Sequence, residues 1–314
     1  MKQFVVSCTS DKIWNYLELI KFLVCNQNKE ITLKLVPEAV CLANLGLYDI
    51  LNCFEFTRVT IITQNPIENH DRYTIIKKKF FNWFEQIPVI DTNLHTWNKN
   101  KIFYCLFGRP TASRLGLCSH LYKNYKNKSH LHFSATTDQD ELIQIELDKL
   151  LKYNVSYIEP VGTLINQLPL LLSSSELYTA TDGYNFSDPL TNFYKDIFVD
   201  ILSESHVSGT TFYPTEKTVR AMWVKKPFII FASKNYLDYL HQMGFRSFGD
   251  FWSEDYDGYD GKDRFIRMLT LIDNLANTPI PKLEQMYWDM QYTLDHNYNL
   301  LKNQNYNVNI TYIS

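Results

Sequence analysis

Short apolar runs alternate with longer amphipathic segments along the first third of the chain. The runs at 2–8, 30–36 and 58–64 have the length of strands, and the segments at 13–27 and 38–54 have helical spacing of their apolar residues. This order predicts three parallel strands joined by right-handed crossovers. Polar loops follow the three strands, and because ligands bind beyond the carboxyl ends of strands in open α/β sheets, we expect the loops to line a site. These loops are Thr9–Asp11, Pro37–Ala39 and Asn65–Tyr73.

The alternation resumes after residue 100. Strands are predicted at 101–108, 129–135, 197–204 and 227–233, helices at 113–125, 140–154, 216–226, 236–244 and 262–277, and a final helix at 282–304. We therefore predict an α/β fold with two lobes facing a cleft. The predicted divisions are an N-terminal lobe at 1–98, a second lobe at 99–277 and a C-terminal segment at 278–314 that packs back across the lobes.

Composition narrows the class of protein. The chain has 314 residues, 45% of them hydrophobic, and a net charge of −3, which suits a folded two-domain protein and disfavours a surface that is basic throughout. The six cysteines form no CxxC pair and are expected to be buried free thiols in a reducing compartment. The first apolar run is too short for a signal peptide, and no run approaches a membrane span. These features favour the cytoplasm, of a cell or of a virus-infected host.

The stretch at 212–233 places an acid and a base at a predicted helix start. Thr215 is the expected N-cap, with Glu216 and Lys217 in the first turn. The helix dipole disfavours a positive charge at a helix start, so a lysine there is unfavourable by itself. An anion bound at the helix start would interact favourably with both the dipole and the lysine. The alternative is that both are solvated helix-end charges.

A second helix start carries arginines. Arg109 and Arg114 follow the strand predicted at 101–108, and residues 101–131 contain six Lys or Arg and no Asp or Glu. Two such helix starts could bind a diphosphate without a metal ion, because guanidinium groups and helix dipoles both favour phosphate. For either arginine alone, a plain surface charge is the alternative.

The run from Ile201 to Leu240 resembles the donor-sugar half of the α1,3-fucosyltransferase family. That family's pattern is a strand ending in Glu-Asn-Ser, then Tyr-x-Thr-Glu-Lys opening a helix, an apolar strand and Asn-Tyr. The chain has Ser203-Glu204-Ser205, Tyr213-Pro214-Thr215-Glu216-Lys217 and Asn235-Tyr236. It departs from the pattern at Glu204, where the family has Asn. The chain also resembles phage and giant-virus glycosyltransferase-like proteins, in which the run continues as at Gly244–Asp257.

The resemblance implies two Rossmann-like lobes in the GT-B arrangement and a metal-independent glycosyltransferase. Its co-substrate would be a nucleotide-diphosphate sugar, with no other cofactor. In the family the Lys and Arg hold the diphosphate and the Glu holds the ribose, which implies those roles for Lys217, Arg114 and Glu216, with Arg109 as a neighbour. The remaining motif positions that we expect at the donor site are Glu204, Thr215, Asn235 and Tyr236.

Sugar transfer to a hydroxyl needs a base, which we expect on a loop of the N-terminal lobe. Glu38, Glu68 and Asp11 are the candidates, with His70 behind them; a surface or capping role is the alternative for each.

The acceptor is open between two classes. The lysines and aromatic residues of Ile75–Phe84 suit a DNA backbone and an extruded base, which favours a hydroxymethylated base of viral DNA. The same segment could be an amphipathic helix with a solvated edge, and the acceptor could be a glycan or lipopolysaccharide. A non-catalytic nucleotide- or glycan-binding module is the further alternative.

No metal site is predicted. Asp138–Asp140 precedes a helix and is typical of a cap, and the acidic run at Glu254–Asp263 lacks the Gly and Glu positions of a calcium loop. The eight histidines show no zinc-binding spacing.

Overall fold

A computed structural model of the chain describes residues 2–9, 12–37, 39–78, 96–135, 140–153, 158–172 and 193–311. It has a mixed α/β architecture with two sheets, which confirms the predicted α/β class, while the arrangement as two lobes facing a cleft stays a prediction. No helix in these ranges is long and apolar enough to cross a membrane. All six cysteines are free, but Cys25 and Cys53 are exposed.

The first sheet has five strands in the order β2-β1-β3-β4-β5. Its strands are β1 (Lys2–Thr9), β2 (Lys12–Ile13), β3 (Glu30–Pro37), β4 (Arg58–Thr63) and β5 (Thr74–Lys77). All neighbours pair in parallel except β2, which pairs with β1 in the antiparallel sense. The carboxyl ends of four strands therefore lie along one edge.

The second sheet is wholly parallel, in the order β7-β6-β8-β9. Its strands are β6 (Phe103–Phe107), β7 (Ser129–Phe133), β8 (Val199–Ser203) and β9 (Phe228–Phe231). Every residue of β6, β8 and β9 is buried, as expected for strands covered by helices on both faces.

Ten α-helices lie in the described part of the chain. They are α1 (Tyr16–Cys25), α2 (Leu47–Asn52), α3 (Ala112–Tyr125), α4 (Asp140–Tyr153), α5 (Ile158–Ile165), α6 (Glu216–Trp223), α7 (Tyr236–Met243), α8 (Gly261–Asn277), α9 (Ile280–Asp289) and α10 (Gln291–Lys302). Helices α3 and α8 pack closely, because a side chain at Gly116 would stand 2.4 Å from the ring of Phe265.

Two predicted helices were wrong in extent. Of the segment 38–54 only α2 is helical, because residues 42–46 form turns and Gly46 takes a left-handed φ of 67° directly before the helix. The single helix predicted at 282–304 begins earlier, at Ile280, and is divided into α9 and α10 at Met290.

Three of these elements were not predicted: the two-residue strand β2, strand β5 and helix α5. Strand β5 occupies the start of the segment considered above as an amphipathic helix, so that alternative is wrong for Thr74–Lys77, while residues 79–84 lie outside the described ranges. Helix α5 contains Pro160 and Gly162, residues that disfavour helix in a sequence; proline is nevertheless tolerated in the first turn, where Pro160 lies.

The C-terminal helices pack beside the second sheet. Tyr287 of α9 lies 6.0 Å from Trp97 and 6.3 Å from Phe198 between ring centroids, and Tyr298 of α10 lies 5.0 Å from Trp223. The domain boundaries after residues 98 and 277 remain predictions.

A buried lysine, Lys226, joins helix α9 to the residues that precede β6 and β8. It follows α6, and its side chain is fully buried. Its Nζ donates to the carbonyls of Thr96 (2.7 Å) and Ile197 (3.2 Å) and to the Tyr287 hydroxyl (3.3 Å). Burial lowers the pKa of Lys226 to about 7, and Asp196 opposes that shift.

The buried lysine should make stability rise with pH. The unfolded chain holds the proton of Lys226 up to its ordinary pKa near 10.4, whereas the folded chain releases it at about 7. Between these values the contribution of Lys226 to stability increases by up to about 1.4 kcal/mol per pH unit. We expect thermal denaturation at pH 7, 8 and 9 to show a larger rise in the wild type than in Lys226→Met. Equal pH slopes for the two proteins would contradict the buried, shifted lysine.

Candidate functional site

Loops from the carboxyl edges of the two sheets meet. The Asn65 side chain, just beyond β4, donates to the Thr210 carbonyl (2.8 Å) and accepts from the Phe212 N–H (3.3 Å). The Thr211 hydroxyl donates to the carbonyl of Ala39, beyond β3, at 2.6 Å. The segment that follows β8 therefore lies against the ends of β3 and β4.

Gly209 allows the segment after β8 to lie directly against Asn44 and Cys41 of the N-terminal part of the chain. Its φ is 75°, and a side chain there would stand 2.3 Å from the Asn44 amide nitrogen and 2.9 Å from the Cys41 sulfur. Only glycine accommodates both the backbone conformation and the contact.

Glu204, directly after β8, is a buried hydrogen-bond acceptor. Its carboxylate accepts from the Thr215 N–H (3.0 Å), the Thr218 hydroxyl (2.6 Å) and the Tyr236 hydroxyl (3.2 Å). The Thr215 hydroxyl also donates to it. Since the Glu204 side chain is fully buried, it ties the starts of α6 and α7 to the end of β8.

The acid and base at the start of α6 are mostly buried. Thr215 is the N-cap, as predicted, and accepts from the Lys217 N–H at 3.4 Å. The Lys217 Nζ lies 2.7 Å from Glu216, 3.1 Å from the Thr215 hydroxyl and 4.0 Å from Glu204. Burial disfavours ionisation of Glu216, but Lys217 and Arg220 outweigh it and lower the pKa of Glu216. With 13% and 16% of their side chains exposed, Lys217 and Glu216 are not solvated helix-end charges.

Arg114 is a buried cation that forms no ion pair with any described carboxylate. Its guanidinium donates to the carbonyls of Arg109 and Ser203, each at 3.0 Å, and its Nε–H has no acceptor among the described residues. Burial and the charge of Arg109 lower the pKa of Arg114 to about 10, while Glu216 and Glu204 raise it. Arg114 thus brings spare hydrogen-bond donors to the end of β8.

The structure brings most of the expected donor-site residues together. Arg114, Glu204, Thr215 and Lys217 surround the end of β8 and the start of α6. Tyr236 joins them through Glu204, and the preceding Asn235 has a left-handed φ of 61°. The Arg109 side chain is exposed, and the residue is tied to the group through its backbone carbonyl.

Glu68 is the candidate base whose surroundings are described. It is buried, and its carboxylate accepts from the Tyr48 hydroxyl (2.8 Å), the Asn65 amide (3.0 Å) and the Leu42 N–H (3.3 Å). Burial raises the pKa of Glu68, although its hydrogen-bond partners and Lys77 oppose the rise. A carboxyl with a raised pKa is a better proton acceptor than a solvated one.

A cavity of about 410 Å³ opens beside Glu68. His70, Tyr48 and Cys41 line it from the first sheet's side, and Thr210 lines it from the segment after β8. The His70 ring lies 4.2 Å from the Tyr48 ring, so an aromatic wall stands next to the carboxylate. The volume of the cavity falls within the range of small-molecule sites. Of the other candidate bases, Glu38 and Asp11 lie outside the described residues and remain predictions.

The described residues contain no group of three or more His, Cys, Asp or Glu that could hold a metal ion. In the acidic run at Glu254–Asp263, Asp257 accepts the N–H groups of Tyr236 (3.1 Å) and Leu237 (2.9 Å) and caps α7. Burial raises the pKa of Asp257 to about 7, and Arg264 opposes that rise. Asp138 lies outside the described residues.

Sequence reasoning gave no individual role to Tyr48, to Asn65 or to the serine pair at the second sheet. The hydroxyls of Ser113 and Ser203 are 2.9 Å apart and join the start of α3 to the end of β8. Asn65 had a signal, because it begins the loop after a predicted strand, and Ser203 lies one residue before the end of another. Tyr48 lies in α2 and had none.

The fold is that of an α/β protein with two sheets of mainly parallel strands, and the segment after β8 meets the loops after β3 and β4. Comparison of the chain with protein-family models, with curated proteins and with solved structures finds no match.

Proposed function

We propose that the chain is a metal-independent glycosyltransferase of the GT-B type. It would move a sugar from a nucleotide-diphosphate sugar to an acceptor hydroxyl. The observation that carries the proposal is Arg114, a buried guanidinium whose Nε–H has no acceptor and which has no ion-pair partner among the described residues. The charges of Glu204 and Glu216 act on Arg114, and Lys217 contacts the same two carboxylates.

The diphosphate of the nucleotide sugar would supply the negative charge that Arg114 lacks. A buried charge without a counter-ion is costly, so a site that keeps one is suited to a ligand of opposite charge. A diphosphate can accept from the guanidinium of Arg114 and the ammonium of Lys217 together. Glu216, beside Lys217, would hold the ribose hydroxyls, as the resemblance to α1,3-fucosyltransferases implies.

The acceptor would enter the cavity beside Glu68. Glu68 would take the proton of the acceptor hydroxyl while that oxygen bonds to the anomeric carbon. The bond from that carbon to the diphosphate oxygen would break, and the nucleoside diphosphate would leave with the electron pair. Direct attack of this kind inverts the anomeric configuration.

Two exposed lysines favour a polyanionic acceptor, such as DNA with hydroxymethylated bases. Lys77 ends β5 and Lys78 follows it, at the same carboxyl edge as Glu68, and the charge of Lys77 acts on Glu68. Phosphate groups of a nucleic acid would bind such a pair in a salt-dependent way. A glycan acceptor would gain nothing from these charges unless it were itself anionic.

A mass-spectrometric transfer screen tests the proposal. UDP-, GDP- and dTDP-sugars are combined with hydroxymethylated DNA, unmodified DNA and neutral glycans. We expect transfer to hydroxymethylated DNA, and for Glu68→Gln a loss of at least about 100-fold in rate, because the amide cannot accept the proton. Pyrophosphate affinity should change less than about twofold, since Glu68 does not lie at the donor site.

Glu55→Gln, an exposed change in the same lobe, is the matched control and should transfer at the wild-type rate. A Glu68→Gln variant as fast as the wild type would remove Glu68 as the base. Sugar transfer to neutral glycans alone would replace the DNA acceptor. If the protein neither consumes any nucleotide sugar nor binds pyrophosphate, the glycosyltransferase proposal is wrong.

A further inference from the structure

A second cavity, of about 480 Å³, lies between α8, α9 and the segment that precedes the acidic run. Trp252, Leu271 and Met286 form part of its apolar wall, and Asp255, Arg267 and Lys282 lie at its polar side. Its volume and its mixed lining are typical of small-molecule sites.

This cavity is on the opposite edge of the second sheet from the donor site. Trp252 packs against Phe198, the residue before β8, with ring centroids 6.3 Å apart. Lys128, the residue before β7, donates to the carbonyl of Ala276 in α8 at 2.6 Å. The cavity therefore lies toward the amino ends of the strands, whereas Arg114 and Glu204 lie at the carboxyl end of β8.

The cavity's polar side has a net positive charge. Arg267 forms an ion pair with Asp255, so these two charges largely cancel. Lys282 is exposed and forms no ion pair within the described ranges. An anionic group would be attracted to the cavity through Lys282.

The apolar wall is partly aromatic. Trp252 is 8% exposed and packs on Phe248 at 5.4 Å between ring centroids. Its indole N–H is buried, so a ligand in the cavity would meet the apolar part of the ring.

We propose that this cavity is a second ligand site, separate from the donor site, for a small ring compound that bears one negative charge. The ring would pack on Trp252, Leu271 and Met286, and the anionic group would face Lys282. The proposal does not depend on the transferase activity.

Calorimetric titration of the full chain with 1-naphthoate tests the site, with neutral 1-naphthalenemethanol as the matched probe. Thr270 lines the cavity, is exposed, and donates its hydroxyl only to Ile266 of its own helix, so Thr270→Trp should fill the space without unfolding α8. We expect saturable 1:1 binding of naphthoate, weakened at least about tenfold by Thr270→Trp because the indole occupies the ring's place.

Lys282→Glu tests whether the positive charge at the cavity attracts the ligand, because it reverses that charge and leaves the apolar lining unchanged. It should weaken naphthoate binding at least about fivefold and change naphthalenemethanol binding less than about twofold. Lys262→Glu, an exposed reversal on α8 away from the cavity, should change neither. Non-saturable naphthoate binding, or full affinity in a folded Thr270→Trp, would overturn the site. Equal effects of Lys282→Glu on both probes would overturn the anionic ligand class.

Discussion

Arg114→Lys is expected to weaken the binding of inorganic pyrophosphate by roughly 30- to 150-fold, or about 2–3 kcal/mol. In the wild type, two guanidinium N–H groups bind the carbonyls of Arg109 and Ser203. An arginine has five N–H donors, so three are not used by these two carbonyls. A lysine keeps the charge, but its shorter ammonium cannot hold both carbonyls and a diphosphate at once. The loss should therefore come from geometry and not from charge.

Pyrophosphate is the informative probe because its binding does not depend on which nucleotide or sugar the protein uses. Titration calorimetry measures the affinity, and circular dichroism verifies that the variant is folded. Lys123→Ala, at the exposed far end of the same helix, should bind as the wild type does. A folded Arg114→Lys with unchanged affinity would mean that Arg114 serves only to join two loops, and the donor site would have to be sought elsewhere.

The two sheets could be predicted because buried parallel strands are continuous apolar runs. Seven of the nine strands coincide with such runs, and the helix between β8 and β9 has the predicted N-cap, Thr215. These features are local: an N-cap or an apolar run is decided by neighbouring residues. Strand β5 has only four residues, with a single partner strand, so little in its own sequence marks it.

The site's chemistry depended on contacts that a single sequence does not reveal. Arg114 is 89 residues from Ser203, and Asn65 is 145 residues from Thr210. The arginine was picked out by its place after a strand, but its lack of an ion-pair partner among the described residues could be seen only in the fold. The same holds for Glu204, which the motif placed at the donor site and the structure surrounds with donors.

Glu204→Ala is expected to lower the free energy of unfolding by about 3 kcal/mol. The change leaves four donor groups without their acceptor: the N–H and hydroxyl of Thr215 and the hydroxyls of Thr218 and Tyr236. Because these groups are buried, water cannot readily replace the carboxylate. The start of α6, and with it Lys217, would lose its attachment to β8.

Thermal denaturation should show this as a melting temperature lower by roughly 6–12 °C. Glu204→Gln keeps one carbonyl oxygen as an acceptor and should lose about 1 kcal/mol. Glu141→Ala, an exposed change on α4, should melt within error of the wild type. If Glu204→Ala is as stable as Glu141→Ala, the buried carboxylate does not hold α6 in place. Glu204 would then contribute mainly its negative charge beside Lys217, and the alanine variant would bind pyrophosphate more tightly than the wild type.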